Sequence, residues 1–212
     1  MPGRFIVPGH KGGPALPEAL GAELRAAAAL DVPLLLDGVD VDGGGCGSPL
    51  DEAQTLAARA WGAGRTWFLT GGATQGNLAA CLAVAPRGRR VVVQRSSHSS
   101  TFHGLALAGL RPTYALPHVD PALAIAHCVD PATLDDVLAA TPEAVAAFVV
   151  SPTYYGSAAD VAGLAAVAHA RGVLLVVDEA WGAHLHFSDL LPQDALAAGA
   201  DLVISSTHKH LG

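Results

Sequence analysis

The sequence of 212 residues is long enough for one globular domain with a buried core, since hydrophobic residues make up 51% of it and charged residues only 15%. Its 12 basic and 19 acidic residues give a net charge of -7, which argues against nucleic acid or an anionic membrane surface as the main partner. The N-terminal stretch has no signal-peptide core, and no apolar run is long enough to cross a membrane, so we expect a cytoplasmic protein. Cys46, Cys81 and Cys128 form no CxxC pair and are expected to be reduced structural thiols.

The first part of the chain predicts an arm and two helices. In chain order, we expect an irregular Gly- and Pro-rich arm, a helix, a loop with the run DGGGCG, and a second helix, over residues 1–14, 15–30, 31–47 and 48–60. Ser48, Pro49 and Asp51 have the pattern of an N-cap, a first-turn proline and a capping-box acid, which sets the start of the second helix.

From residue 66 onward, short apolar runs alternate with segments that are typical of helices. Strands are predicted over residues 66–70, 90–95, 111–117, 146–152, 173–180 and 201–207. Helices are predicted over residues 71–84, 99–109, 131–140, 159–172 and 188–199. Strands that are apolar throughout and are separated by helices indicate a three-layer α/β fold, in which a mostly parallel sheet has helices on both faces.

Polar residues follow five of the six predicted strands. They lie at residues 71–77, 96–100, 151–156, 178–184 and 205–209. Ligands of such sheets bind where the carboxyl ends of the strands meet, so these segments predict one shared site at that edge.

Two of these segments could contact a ligand, one by a covalent bond from a lysine and the other by binding a phosphate. Lys209, beside His208, would lose its proton more easily if partly desolvated, and a neutral lysine amine can form a Schiff base with an aldehyde. The alternative for Lys209 is a solvated surface lysine. The Gly71–Thr74 loop opens a helix whose N–H groups could bind a phosphate, although such turns are common, and this one matches neither the P-loop nor the GxGxxG pattern.

Other polar residues allow more than one interpretation. Asp178 ends an apolar strand, so its carboxylate either pairs with a cation such as a protonated ring nitrogen or caps a loop. His98 could lie flat on a planar ligand or be a structural histidine. His184 and His186 form an HxH pair, but no further ligands complete a set, and no metal site is predicted.

Together these motifs resemble the fold-type-I pyridoxal-phosphate (PLP) enzymes, and within them the major domain of the Orn/Lys/Arg decarboxylase family. The stretches that carry the resemblance follow the family's order: VPGHKGG (7–13), DEAQTLAARAWGAGRTWFLTGGATQGN (51–77), RSSHSSTFHGLALAG (95–109), SPTYYG (151–156), DEAWGAH (178–184) and STHK (206–209).

The resemblance implies that pyridoxal 5'-phosphate is the cofactor and that Lys209 carries it covalently. It implies that Asp178 pairs with the pyridine nitrogen and that His98 stacks on the ring, so these three are the expected catalytic residues. The other expected cofactor contacts, around the phosphate and beside the ring, are Gly72, Ala73, Thr74, Ser206, His208, Ala180 and Trp181. Ala73 departs from the family, which usually has a hydroxyl residue there.

The resemblance also implies a reaction: decarboxylation of lysine, ornithine or arginine to the amine and CO2, in amino-acid metabolism and polyamine biosynthesis, by a homodimer or larger homo-oligomer. Another fold-type-I reaction, such as transamination or aldol cleavage, and a non-catalytic truncated product remain as alternatives. Family members continue past the lysine into an antiparallel strand and a small C-terminal domain. We therefore expect an arm and helix over residues 1–50, an incomplete PLP-binding large domain over 51–212, and little or no activity of this chain alone.

Overall fold

The computed structural model describes residues 16–28, 30, 35–36, 39–40 and 48–210. The chain divides into two compact units, Met1–Ala60 with Gly64–Trp67 and Trp61–Ala63 with Phe68–Gly212. The VPGHKGG motif, the DGGGCG run and Cys46 lie outside the described residues.

In the first unit, the described residues form short helices and one pair of very short strands. In chain order these are a 3-10 helix Glu18–Leu20, α1 Gly21–Ala28, β1 Leu35–Leu36, β2 Val39–Asp40 and α2 Pro49–Ala60. β1 and β2 pair antiparallel inside the segment that was predicted as a loop. The start of α2 is confirmed, because the N–H of Asp51 donates to Oγ of Ser48 over 3.1 Å, as expected of an N-cap.

The second unit contains a parallel sheet. The strands of this unit are β3 Arg90–Gln94, β4 Arg111–Ala115, β5 Val119–Asp120, β6 Ile125–Ala126, β7 Ala144–Val150, β8 Leu174–Glu179 and β9 Leu202–Ser205. Its α-helices are α3 Gly72–Val84, α4 Ser99–Ala108, α5 Pro131–Ala139, α6 Val161–Ala170 and α7 Thr207–His210. Five strands form the sheet in the order β4-β3-β7-β8-β9, and every neighbouring pair is parallel. The predicted fold class is therefore confirmed.

Each face of this sheet has its own apolar core. Val176 of β8 packs with residues of α3 and α4 such as Cys81 and Leu105. Leu175, which points to the opposite face, packs with residues of α5 and α6 such as Leu164. Each fully buried leucine contributes about 2–3 kcal/mol of hydrophobic free energy, so helices on both faces stabilise the sheet.

Helix ends in this unit follow the local signals in the sequence. Asp130 caps α5 by accepting the N–H of Thr133 over 2.8 Å, and Pro131 is the first residue of that helix. Gly109, with φ of 64°, ends α4 in the left-handed conformation that glycine adopts at little cost. These ends are as predicted.

The predicted strand over residues 66–70 is wrong. These residues adopt no regular structure until a turn begins at Thr70, and the side chains of Trp67 and Phe68 are more than half exposed. An apolar run forms a strand only where a neighbouring strand presents free N–H and C=O groups, and its period cannot reveal whether such a neighbour exists.

The predicted helix over residues 188–199 is also wrong. A 3-10 helix, Leu185–Phe187, is followed by turns. Side-chain carboxylates accept backbone N–H groups here: Glu179 accepts from Ala195 over 2.8 Å, and Asp194 accepts from Ala197 over 3.1 Å. Such bonds replace the bonds of a helix, so the segment bends toward the end of β8 instead.

Candidate active site

The predicted site residues on β8 and β9 lie at neighbouring strand ends. The register pairs Asp178 with Ile204 and Glu179 with Ser205. The STHK motif begins at the next residue, Ser206, and leads into the single turn of α7. Parallel pairing therefore brings Asp178 and the STHK motif to the same edge of the sheet.

Asp178 is a buried carboxylate with a defined orientation. The residue is only 8% exposed. Oδ1 accepts the N–H of Ala180 over 3.1 Å, and Oδ2 accepts Nδ2 of Asn77 over 2.8 Å. Because an ionised carboxylate can accept about four hydrogen bonds, Asp178 retains the capacity to accept a further donor.

Asn77 extends this contact to the predicted ring-stacking residue. The same Nδ2 atom lies 2.9 Å from Oγ of Ser100, and that Oγ lies 2.7 Å from Nδ1 of His98. The backbone N–H of Ser100 also points at Nδ1 over 3.2 Å, so His98 caps α4. A chain of hydrogen bonds thus joins Asp178 on β8, Asn77 on α3 and His98 at the start of α4.

Asn77 and Ser100 were missed by sequence reasoning as site residues. Both lie within motifs that carry the family resemblance, and both are almost fully buried, at 3% and 1% exposure. A buried polar side chain needs a partner, so a polar residue at a core position of a predicted helix was the signal that could have identified them.

Lys209 lies beside aromatic side chains. Its Nζ is 4.2 Å from the ring centroid of Trp181, a cation–π distance. The ring of Tyr154 meets Trp181 edge-on with centroids 5.4 Å apart. The segment after β7, which contains Tyr154, therefore also reaches the edge where Lys209 lies.

The predicted phosphate contacts come from two elements. Gly72, Ala73 and Thr74 form the first turn of the 13-residue helix α3, and Gly71 at its N-cap has no side chain to cap them. Gly72 has a φ of 66°, which favours glycine. The N–H of Gly72 donates to the carbonyl of Leu69 over 3.2 Å, whereas Gly71 makes no side-chain cap bond, and the positive end of a helix dipole is suited to an anion.

The second element is the turn after β9. Oγ of Ser206 and Nδ1 of His208 are 3.1 Å apart. α3 approaches this strand closely, since a Cβ added to Gly76 would lie 2.7 Å from Cγ2 of Ile204. Gly76 therefore allows α3 to lie close against β9.

Glu179 lies on the opposite face of β8 from Asp178. Burial raises the pKa of Glu179 to about 8, although the N–H bond from Ala195 lowers it, and the charge of Asp194 raises it further. Asp194 is itself bonded to Nδ1 of His186 over 2.9 Å. His186 of the HxH pair is therefore part of a hydrogen-bonded polar cluster on the α5 and α6 face.

The remaining candidates add little to the site. Burial raises the pKa of the Cys81 and Cys128 thiols to about 11, which makes both weak nucleophiles at neutral pH. Among the residues that the structure describes, no cluster of three or more His, Cys, Asp or Glu could hold a metal ion. None of the helices described is both long and apolar enough to traverse a lipid bilayer.

The sequence matches a known family over almost its full length. The model of the family described as "Orn/Lys/Arg decarboxylase, major domain" matches residues 2–212. The chain belongs to the Orn/Lys/Arg decarboxylase family. This family depends on PLP, and the resemblance seen in the sequence motifs is confirmed.

Relatives within the Orn/Lys/Arg decarboxylase family include two bacterial proteins. The chain is 37% identical to "Uncharacterized protein YaaO" of Bacillus subtilis, covering 98% of this chain and 43% of that protein. It is 34% identical to an arginine decarboxylase of Halalkalibacterium halodurans, covering 98% of this chain and 42% of the relative. The chain thus spans less than half the length of these relatives.

A solved structure agrees with the fold. Lysine decarboxylase A of Pseudomonas aeruginosa superimposes with a TM-score of 0.74 and 24% sequence identity, covering 97% of this chain and 30% of that one. The five-stranded parallel sheet is thus the fold-type-I fold of PLP-dependent enzymes.

Proposed function

We propose that this chain is the cofactor-binding part of a PLP-dependent decarboxylase that converts a basic amino acid, foremost arginine, to its amine and CO2. The observation that carries the proposal is the buried Asp178, whose neighbouring strand leads directly into the motif that contains Lys209. Arginine is placed first because relatives that are 33–34% identical over 98–99% of the chain are arginine decarboxylases. Lysine and ornithine remain possible substrates within the family.

The residues present fit the chemical parts of PLP. A buried carboxylate with free acceptor capacity suits the protonated ring nitrogen, and Asp178 is such a group. The first turn of α3, from Gly72 to Thr74, has no side-chain cap and suits the phosphate, with Ser206 and His208 as further donors. Lys209 would supply the amine that holds the cofactor.

When bound, PLP supplies an electron sink for the electron pair that remains after CO2 leaves. Asp178 would hold the proton on the ring nitrogen, because its negative charge favours the protonated form. Lys209 would bind the cofactor and then move a proton at the substrate α-carbon. Ala180 and Trp181 would cover the ring and exclude water, and His98 would face the ring from the start of α4.

Cofactor attachment can be tested on the 212-residue chain. We expect borohydride reduction of the chain after incubation with PLP to leave a pyridoxyl group on Lys209, located by peptide mass spectrometry. Lys209→Ala should remove the adduct. The sequence has only one other lysine, Lys11, so Lys11→Ala is a matched control that should keep it. An adduct on Lys11 alone would contradict the proposal.

The reaction can be tested separately with the protein expressed from its complete gene. Arginine, lysine and ornithine are supplied in turn, and CO2, amine and keto acid are measured. We expect stoichiometric CO2 and amine, with the highest kcat/KM for arginine. Keto acid without CO2 would identify a transaminase and would contradict decarboxylation.

A further inference from the structure

The series of hydrogen bonds that runs from Asp178 through Asn77 and Ser100 to His98 has a fixed direction. An ionised carboxylate only accepts, so the Asn77 atom that lies 2.8 Å from Oδ2 of Asp178 must be the amide nitrogen. The same nitrogen lies 2.9 Å from Oγ of Ser100, and it has a second proton to donate there. Ser100 therefore accepts from Asn77.

Nδ1 of His98 faces two donor groups of Ser100. The backbone N–H of Ser100 donates to Nδ1 over 3.2 Å, so this nitrogen is an acceptor. The Ser100 hydroxyl, whose oxygen accepts from Asn77, lies 2.7 Å from the same Nδ1 and therefore donates to it. Two donors that converge on Nδ1 leave no room for a proton on it, so the neutral imidazole carries its proton on Nε2.

We propose that Asn77 is a positioning residue that, through Ser100, holds His98 in the Nε2–H tautomer and at the same time orients the carboxylate of Asp178. The roles of Asp178 and His98 beside the cofactor rest on the proposed function, whereas the order of the hydrogen bonds does not. His98 is exposed and Asn77 is buried, so the ring presents an N–H donor toward the open edge of the sheet while its other nitrogen is held from within.

The residues in the middle of this series of hydrogen bonds are buried, which suits them to such a role. Asn77 and Ser100 are 3% and 1% exposed, so water cannot readily replace either donor. The residues come from β8 and from α3 and α4, the two helices that pack on the same face of the sheet. A change at Asn77 is therefore expected to reach both Asp178 and His98 without moving an element.

The tautomer can be measured without any cofactor. Long-range proton–nitrogen NMR on the 15N-labelled 212-residue chain, at mildly alkaline pH, distinguishes a protonated from an unprotonated ring nitrogen, and His98→Gln identifies the signals of that ring. We expect an unprotonated Nδ1 in the wild type. A protonated Nδ1 would overturn the proposal, whatever the variants show.

Asn77→Asp should reverse these hydrogen bonds while keeping the shape of the side chain. An aspartate at this position would lie beside Asp178, so the two carboxyl groups would share one proton, and the oxygen facing Ser100 would accept its hydroxyl. The Ser100 oxygen would then accept from His98 in competition with the backbone N–H of Ser100, so the Nδ1 signal should move toward the protonated range. Ser100→Ala removes the stronger of the two donors to Nδ1 and should move the signal part of the way. It also keeps the test open if Asn77→Asp does not fold.

Ser99→Ala is the matched control, because Ser99 is the exposed serine next to Ser100 and takes no part in this series of hydrogen bonds. Its spectrum should equal that of the wild type. An unchanged tautomer in a folded Asn77→Asp protein, or an equal change in Ser99→Ala, would overturn the proposal.

The kinetic consequence is measured on the protein expressed from its complete gene. Asn77→Ala should lower kcat by about tenfold to a hundredfold, the effect of losing a hydrogen bond to a charged group, while KM for the amino acid changes by about twofold at most. Failure of decarboxylation in the wild type would refute the proposed function and leave the tautomer result intact. An unchanged kcat in Asn77→Ala would refute the positioning role alone.

Discussion

Asp178 and Glu179 are consecutive buried carboxylates with opposite environments. Asp178 faces α3 and α4, where Asn77 and Ala180 donate to it. Glu179 faces the other side of β8, where the N–H of Ala195 donates to it and burial raises its pKa to about 8. Successive side chains of a strand point to opposite faces, so one step along the chain changes which helices surround a carboxyl group.

The comparison shows how the same chemical group can serve two purposes. A carboxylate that accepts two hydrogen bonds near the open edge is held in one orientation and can accept a further donor from a ligand. A carboxyl group enclosed by apolar packing, next to another acid, favours its neutral form and makes the stability of the fold depend on pH. Three changes can break or sharpen this contrast.

The largest effect is expected at Asp178. In the protein expressed from its complete gene, Asp178→Ala should lower kcat by about a thousandfold or more, because the ring nitrogen loses the charge that keeps it protonated. Steady-state kinetics with a circular-dichroism spectrum of the variant measures this. A loss below about tenfold, which is about 1.4 kcal/mol, would mean that Asp178 is structural.

Asp201→Asn is the matched control for Asp178. Asp201 also accepts a backbone N–H bond, from Leu175 over 2.8 Å, but it precedes β9 and therefore lies at the amino edge of the sheet. We expect this variant to lose some stability and to keep its kcat.

A smaller effect, on stability, is expected at Glu179. Between pH 4.5 and about 8 the folded chain binds a proton that the unfolded chain releases, so the free energy of unfolding falls as pH rises through this range. Glu179→Gln keeps an acceptor for Ala195 and carries no charge. At pH 8 and above it should be more stable than the wild type by about 2–4 kcal/mol.

Urea unfolding of the 212-residue chain at several pH values measures this difference. The exposed Glu143, which pairs with Arg90 at the surface, provides the control Glu143→Gln. The control should follow the pH dependence of the wild type. Equal slopes in the wild type and Glu179→Gln would contradict the argument.

The smallest effect is expected at His186, on the same face as Glu179. His186→Gln should cost about 1–2 kcal/mol, because the buried Asp194 loses its 2.9 Å contact but keeps the N–H of Ala197. A thermal melt should show a decrease in Tm of about 3–8 °C. Since this cluster lies on the other face from Asp178, PLP attachment at Lys209 should be unchanged, and a loss of attachment would show that the two faces are coupled.

Local signals in the sequence were sufficient for most of the sheet and its helices. Asp130 before Pro131 and Gly109 after α4 act through the backbone of their own neighbours, so their effects could be predicted without knowledge of the fold. The predictions at residues 66–70 and 188–199 were wrong because both depend on distant partners. In the second segment, Glu179 takes the N–H of Ala195 from a position 16 residues away.

The sequence by itself determined the parallel α/β fold, the family, and the edge of the sheet to which Asp178, His98 and Lys209 belong. It could do so because apolar strands, helix caps and polar strand ends are short-range patterns. Only the tertiary structure decided that Asn77 joins Asp178, 101 residues away, to Ser100 and His98. A hydrogen bond depends on the positions of its two atoms to within a few tenths of an ångström, and those positions are set by the packing of α3 and α4 on β8.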